Sequence, residues 1–260
     1  MVSTKIYWFS GTGNSLAVAK ALQASIEDCE LIPVAKAVAE TIEPTEQIGL
    51  VFPVYGWGPP RLVERFIRKL NSESAGYVFS VITFAGNGGD TLGTVNKMLQ
   101  ARGLELDAGW GVMMPENYPP MGGPPELDRQ KEINGEAAEK IARIAEELKA
   151  SPRGTVERSA WIWRQLSKVV YPGFRRFVPR ADRWFSADDK CNGCGLCADV
   201  CPVDDIVMEN GRPQWKGQCE QCFACLHLCP QQAVQYIRSK KQPRYHHPDT
   251  DIADFMSAEN

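Results

Sequence analysis

The chain contains nine cysteines, and eight of them fall between Cys191 and Cys229. Cys191, Cys194, Cys197 and Cys201 follow the spacing C-x2-C-x2-C-x3-C-P, and Cys219, Cys222, Cys225 and Cys229 repeat it, starting eighteen positions after Cys201. Three thiolates on one short loop can wrap one iron–sulfur cubane, while the fourth, one helical turn on, points toward a neighbouring cubane. The spacing therefore predicts crossed ligation by two 4Fe–4S clusters. Cys191, Cys194, Cys197 and Cys229 would hold one, and Cys219, Cys222, Cys225 and Cys201 the other. Paired C-x2-C units also build zinc sites, but zinc takes four ligands in two pairs and leaves the third cysteine of each run surplus. Such a cluster reads as metal ligation in a reducing compartment rather than as disulfides.

A second group with chemical potential lies near the start. Ser10-Gly11-Thr12-Gly13-Asn14-Ser15 breaks sharply between the apolar run 2–9 and a helical pattern at 16–26. Its glycines permit tight backbone, its amides can converge on one anion at a helix N-terminus, and Ser10, Thr12 and Ser15 add hydroxyl donors. No Lys or Arg lies within it, which suits a phosphate monoester held by hydrogen bonds and the helix dipole. A dinucleotide fingerprint would require Gly or Ala where Leu16 stands, and an ATP loop would require a Lys that is absent. A plain Gly-rich turn would not need three hydroxyl residues.

The elements that must position these groups follow from periodicity. Apolar runs at 30–34, 47–53, 76–84 and 106–114 join 2–9 as candidate buried strands, and helical patterns occupy 60–70, 90–103 and 126–150. Pro33 and Pro44 leave little room for a helix after the second strand. Alternating strands and helices predict an α/β fold, with an open parallel sheet of five strands covered on both faces and right-handed crossovers. Ligands bind beyond the carboxyl ends of such strands, where the loops 10–15, 53–60 and 84–90 sit.

The stretch from Trp8 to Ser15 resembles the FMN phosphate loop of flavodoxins, which implies a flavodoxin-like doubly wound sheet of order 2-1-3-4-5. By that resemblance two loops would flank the isoalloxazine ring. One is Pro53, Val54, Tyr55, Gly56 and Trp57; the other is Phe84, Ala85, Gly86, Asn87, Gly88, Gly89 and Asp90. Tyr55, ahead of Trp57, would stack on the ring, and Pro53 with Pro59-Pro60 departs from ordinary flavodoxins. Residues 187–238 resemble bacterial ferredoxins with two clusters in a small α+β domain, a strand and turn at 206–211 pairing with a late strand at 233–237. The order of the two parts resembles flavodoxin–ferredoxin fusion proteins of anaerobic bacteria and archaea, and Met114-Pro115-Glu116-Asn117-Tyr118 resembles one of that family's segments. The resemblance implies two 4Fe–4S clusters, FMN, and electron transfer with redox partner proteins whose identity is open. A self-contained FMN-dependent reductase of a small organic substrate is the alternative.

Organisation by composition gives a flavodoxin-like part at 1–150, a bridge at 151–186, a ferredoxin-like part at 187–240 and a polar tail at 241–260. Between Arg153 and Arg183 eight Lys or Arg face two acids, interleaved with Trp161, Trp163, Tyr171, Phe174 and Phe177. Nucleic-acid stacking and a membrane-surface helix are the functional readings. The expected one is structural: aromatics packed between the domains, cations outward, no nucleic acid. Cys29 is expected to be a small buried residue, His227 an exposed residue on a helical turn rather than a ligand, and His246-His247 part of a tail without chemistry. A hydrophobic content of 43%, a charged content of 23% and a net charge of −3 suit a globular protein. No apolar run is long enough to span a bilayer and the N-terminus lacks a signal-peptide pattern, so the expectation is cytoplasmic.

Overall fold

The computed structural model describes residues 3–237 and 242–256. Both chain ends, and the boundary near 240 suggested by composition, lie outside the described residues.

Strands β1 (Thr4–Trp8), β2 (Cys29–Pro33), β3 (Thr45–Pro53), β4 (Ala75–Phe84), β5 (Ala108–Met113) and β6 (Thr155–Val156) form one parallel sheet in the order β2-β1-β3-β4-β5-β6. The first five strands have the expected doubly wound order, whose switch point lies between β1 and β3. The sixth was not expected. It is two residues long, pairing Thr155 with Ala108 and Val156 with Gly109, too short to carry any alternation of its own.

Helices α1 (Asn14–Gln23), α2 (Val34–Ala37), α3 (Arg61–Ile67), α4 (Thr91–Gln100) and α5 (Leu127–Lys149) cover the sheet. α2 is one turn, as its flanking prolines require. Alternate side chains of each strand feed opposite cores. Tyr7, Leu50 and Phe52 pack with Phe66 and Val95 on one face. Ile6, Trp8, Val51 and Phe79 pack with Leu16, Leu22 and Ile141 on the other.

α6 (Trp161–Phe177) folds back over the carboxyl ends of the strands. Side chains on Gly56 or Gly58 would overlap Phe174 or Tyr171, so these two loop glycines are what let the helix sit so close. Glu64 of α3, buried beneath it, accepts from Arg175 at 2.6 Å on both carboxylate oxygens and from the Tyr171 hydroxyl. Arg164 pairs with Asp90 at 3.2 Å. The expected bridge is therefore partly inverted. Tyr171 and Phe174 pack inward, but Arg164 and Arg175 also point inward, and Trp161 faces solvent.

Beyond it lie β7 (Phe185–Ala187), α7 (Leu196–Asp199), β8 (Ile206–Glu209), β9 (Arg212–Trp215), α8 (Ala224–His227) and β10 (Val234–Tyr236). β10 pairs with β7, not with β8 as the sequence suggests. β8 instead closes on β9 through Asn210 and Gly211, both at positive φ, the backbone of a tight two-residue hairpin turn. Local pairing closes a far shorter loop than pairing with residue 234 would. Phe185, Phe223 and Tyr236 form the aromatic centre of this part, with ring centroids 4.9–5.3 Å apart.

The last described segment returns to the first domain. α9 (Ala253–Met256) packs Phe255 edge-on against Trp8, and Asp254 meets Lys20 at 2.6 Å.

Phe79 is wholly buried in the central strand. Phe79→Ala is expected to lower stability by about 3–5 kcal/mol, measured by urea unfolding followed by circular dichroism.

Candidate cofactor sites

α1 begins at Asn14, so the 10–15 segment runs into its first turn, which has no side-chain cap and no acid. Its leading amides are thus available to an anion. Ser10 Oγ accepts from the Gly13 amide at 3.1 Å and Thr12 Oγ1 accepts from the Asn117 side chain, which leaves both hydroxyl protons to donate elsewhere. Ser15 and Thr83 share a hydroxyl hydrogen bond of 2.8 Å.

Above the loop opens a cavity of about 640 Å³, within the range of cofactor pockets. Ser10, Gly11, Asn14 and Ser15 line it, together with Pro53, Val54, Tyr55, Gly56, Trp57, Phe84, Ala85, Gly86 and Asn87. Thr12 and Gly13 lie behind it, Thr12 beneath Asn117 and Gly13 against His247 and Thr250. Gly88, Gly89 and Asp90 do not reach it. Gly88 sits against Ile82 and Phe84, while Gly89 and Asp90 turn toward α6: Gly89 packs on Trp57 and Ser167, and Asp90 takes Arg164 while its amide donates to Ser167 Oγ at 3.0 Å. Trp57 leans on Trp163 with centroids 5.3 Å apart, whereas Tyr55 lies edge-on to Phe9. Burial, and then the neighbouring Cys222, hold the Tyr55 hydroxyl well above its ordinary pKa.

Three walls of the cavity escaped the sequence reading of the site. One is Met114 to Tyr118 after β5, whose only signal was the family-like segment. The second is Val170 and Phe174 of α6, and the third is Gln221, Cys222 and Phe223, which come from the cysteine-rich part. A side chain on Gly11 would overlap the Cys222 carbonyl oxygen, so the two loops meet backbone to backbone.

The cysteines gather as two quartets. Cys191, Cys194, Cys197 and Cys229 line one small hollow. Cys201 lies near Cys219, Cys222 and Cys225, close enough to add to the burial that raises each of these thiols. Amides of Asp205, Gln221 and Ala233 donate to the sulfurs of Cys201, Cys219 and Cys229 at 3.1–3.3 Å. Burial and then neighbouring thiols push Cys222 up to about 12 and Cys197 to about 11.

The two ligand loops differ at equivalent positions. Gly193 and Gly195 have φ of 75° and 83°, while Gln221 and Phe223 hold φ of 54° and 60° with full side chains. Left-handed backbone is costly for non-glycine residues, and here their side chains explain the exception. Phe223 fills the aromatic centre and meets Tyr118 edge-on, and Gln221 walls the cavity.

His227 is buried, not exposed as expected. α8 lies beneath the 115–118 loop, so Nε2 contacts the Asn117 carbonyl at 2.9 Å while Nδ1 accepts the Tyr245 amide at 3.0 Å. That pair of contacts selects the tautomer protonated at Nε2, and burial lowers the pKa to about 4. With both nitrogens engaged, His227 is neither a ligand nor a donor to cluster sulfur. The tail also differs from expectation. His247 is buried and its amide donates to the Thr12 carbonyl at 2.9 Å, while the Tyr245 hydroxyl donates to Asn14 Oδ1 at 2.6 Å. Cys29 is half-buried, its thiol raised to about 11 by burial and then by Asp28 and Glu30.

Known proteins resemble parts of this chain. The 4Fe-4S binding domain family matches residues 188–207. An uncharacterized ferredoxin of Methanocaldococcus jannaschii is 34% identical over 61 residues, which are 21% of this chain and 79% of that protein. An uncharacterized polyferredoxin-like protein of the same organism is 32% identical over 72 residues, 26% of this chain; the match spans about a third of that relative, 32% of its length. Among solved structures, the flavodoxin of Streptococcus pneumoniae TIGR4 aligns with 56% of this chain and 97% of its own, at 16% identity and a TM-score of 0.40. Megasphaera elsdenii flavodoxin aligns with 53% of this chain and 98% of its own, at 20% identity and a TM-score of 0.35. The chain belongs to the ferredoxin family through its cysteine-rich segment, fused behind a domain whose own strand order is flavodoxin-like.

The contact between Gly11 and Cys222 is directly testable. Gly11→Ala is expected to cost about 1–3 kcal/mol of stability in urea unfolding. Gly86→Ala, whose added methyl meets nothing within 4 Å, should leave stability unchanged.

Proposed function

We propose that the protein relays electrons between two 4Fe–4S clusters and FMN, joining a low-potential one-electron donor to a redox partner protein. Each cluster exchanges one electron, whereas FMN can hold one or two, which is the chemistry the three groups supply when bound. The observation that carries the reading is the cavity wall formed jointly by the β-strand loops and by Cys222 and Phe223.

The chain's own residues have separable roles. Leading amides of α1, with the Ser10 hydroxyl that lines the cavity, would hold the phosphate of FMN through charge-assisted hydrogen bonds. Tyr55, Trp57 and Tyr118 supply apolar walls for the ring, and Phe223 with Tyr118 keeps water from the side facing Cys222. Cys191, Cys194, Cys197 and Cys229 would hold one cluster, and Cys201, Cys219, Cys222 and Cys225 the one nearer the cavity, since Cys222 lines it. Cys194 is exposed, which suits an entry point for electrons from a donor.

Two measurements check this. Anaerobically purified protein should contain about eight iron, eight acid-labile sulfides and one FMN per chain; stoichiometric zinc without sulfide would overturn the assignment. Cys201→Ser should perturb the paramagnetic signal of the cluster held by Cys219, Cys222 and Cys225 and spare the other. It should also slow flavin reduction by a ferredoxin donor sharply, while dithionite still reduces the flavin. Unchanged donor-driven reduction would remove that cluster from the route.

A further inference from the structure

The outward side of α6 is apolar, the reverse of an ordinary surface helix. Its inward side carries Ser167, Tyr171 and the cations Arg164 and Arg175, both in ion pairs. Its outward side carries Ile162, Leu166 and Val169, which are 50%, 40% and 76% exposed, with Phe177 continuing the stripe, while Val170 turns to the cavity wall beside Phe174. Their spacing of i, i+4 and i+7 makes one ridge. Trp161, at the start of the helix, is 68% exposed. Lys168 and Arg176 flank the ridge on the helix, and Arg180 and Arg183 follow just beyond it, all exposed. No acid occurs within Trp161–Phe177. The nearest that follows, Asp182, is buried, its carboxylate accepting from the Gly217 amide.

We propose that this ridge docks the protein on an anionic phospholipid surface, with α6 lying in the plane of the interface. An exposed apolar stripe with a tryptophan at its edge and a wholly cationic rim matches what such a surface binds: the ridge enters the headgroup–acyl boundary and the cations meet lipid phosphates. Charge argues against a second copy of this chain. A two-fold contact would set this all-cationic rim against itself. Nucleic acid is disfavoured because the middle of the ridge is Ile, Leu and Val, which offer bases no aromatic face. Among the described residues no helix is long and apolar enough to cross a membrane, so docking here is peripheral.

The test uses the full-length protein with its cofactors, sedimented anaerobically with vesicles of phosphatidylcholine and phosphatidylglycerol in equal parts, or of phosphatidylcholine alone. Binding to the mixed vesicles is expected, with a blue shift of tryptophan emission, and at least about tenfold weaker binding to phosphatidylcholine alone. Val169→Glu should weaken binding at least about tenfold, with cofactor absorbance unchanged as the check on folding. Arg176→Glu should reduce the preference for phosphatidylglycerol by roughly tenfold or more, two charge steps being involved. Absence of vesicle binding, or binding that neither substitution alters, overturns the proposal. So does a dimer in lipid-free solution, seen by light scattering, that Val169→Glu dissociates, for then a second copy covers the ridge.

Discussion

The carbonyl of Cys222 occupies the space that a side chain on Gly11 would need. This backbone contact joins the 10–15 loop of one domain to the cysteine loop of the other, and much of the molecule is arranged to maintain it. Glu220, two residues earlier, places its carboxylate against the amides of Arg61 and Leu62 at the start of α3. Burial raises its pKa to about 7, but those amides and the charges of Arg61 and Arg65 oppose the rise. The cysteine loop is thereby pinned on both sides of Cys222, by Glu220 before it and by Phe223 after it.

The C-terminal segment tightens the same junction from outside. His227 connects α8 to the Asn117 carbonyl and the Tyr245 amide, while Tyr245 and His247 reach Asn14 and Thr12 in the first domain. Each of these bonds is buried or half-buried, where an unmade partner would cost about 1–3 kcal/mol. The tail therefore acts as a strap across the two domains, and its histidines are structural pieces of that strap.

α6 secures the opposite side of the cavity through an unusual division of its surface. Placing Arg175 on a buried Glu64 is tolerated because the carboxylate also receives Arg68 at 2.8 Å and the Tyr171 hydroxyl. A buried charge with several short, directed partners meets the conditions under which desolvation is offset. With Arg164, Ser167, Tyr171 and Arg175 committed inward, the helix presents Ile162, Leu166 and Val169 outward between the exposed Lys168 and Arg176.

By itself the sequence determined the local facts. Cysteine spacing defined which thiols share a loop, the abrupt glycine- and hydroxyl-rich break after Phe9 marked a strand end meeting a helix start, and alternating apolar runs marked five parallel strands. All of these are set by residues within one element or turn, where backbone geometry and side-chain periodicity act directly. Tertiary structure decided what depends on distant segments meeting. Cys222 became a wall of the cavity, His227 became buried, and Gly89 and Asp90 turned away from the cavity to hold α6. The late strand chose β7 because Asn210-Gly211 had already closed the nearer hairpin. No local pattern encodes such outcomes, since each rests on which surfaces are left to be covered once the two domains have folded.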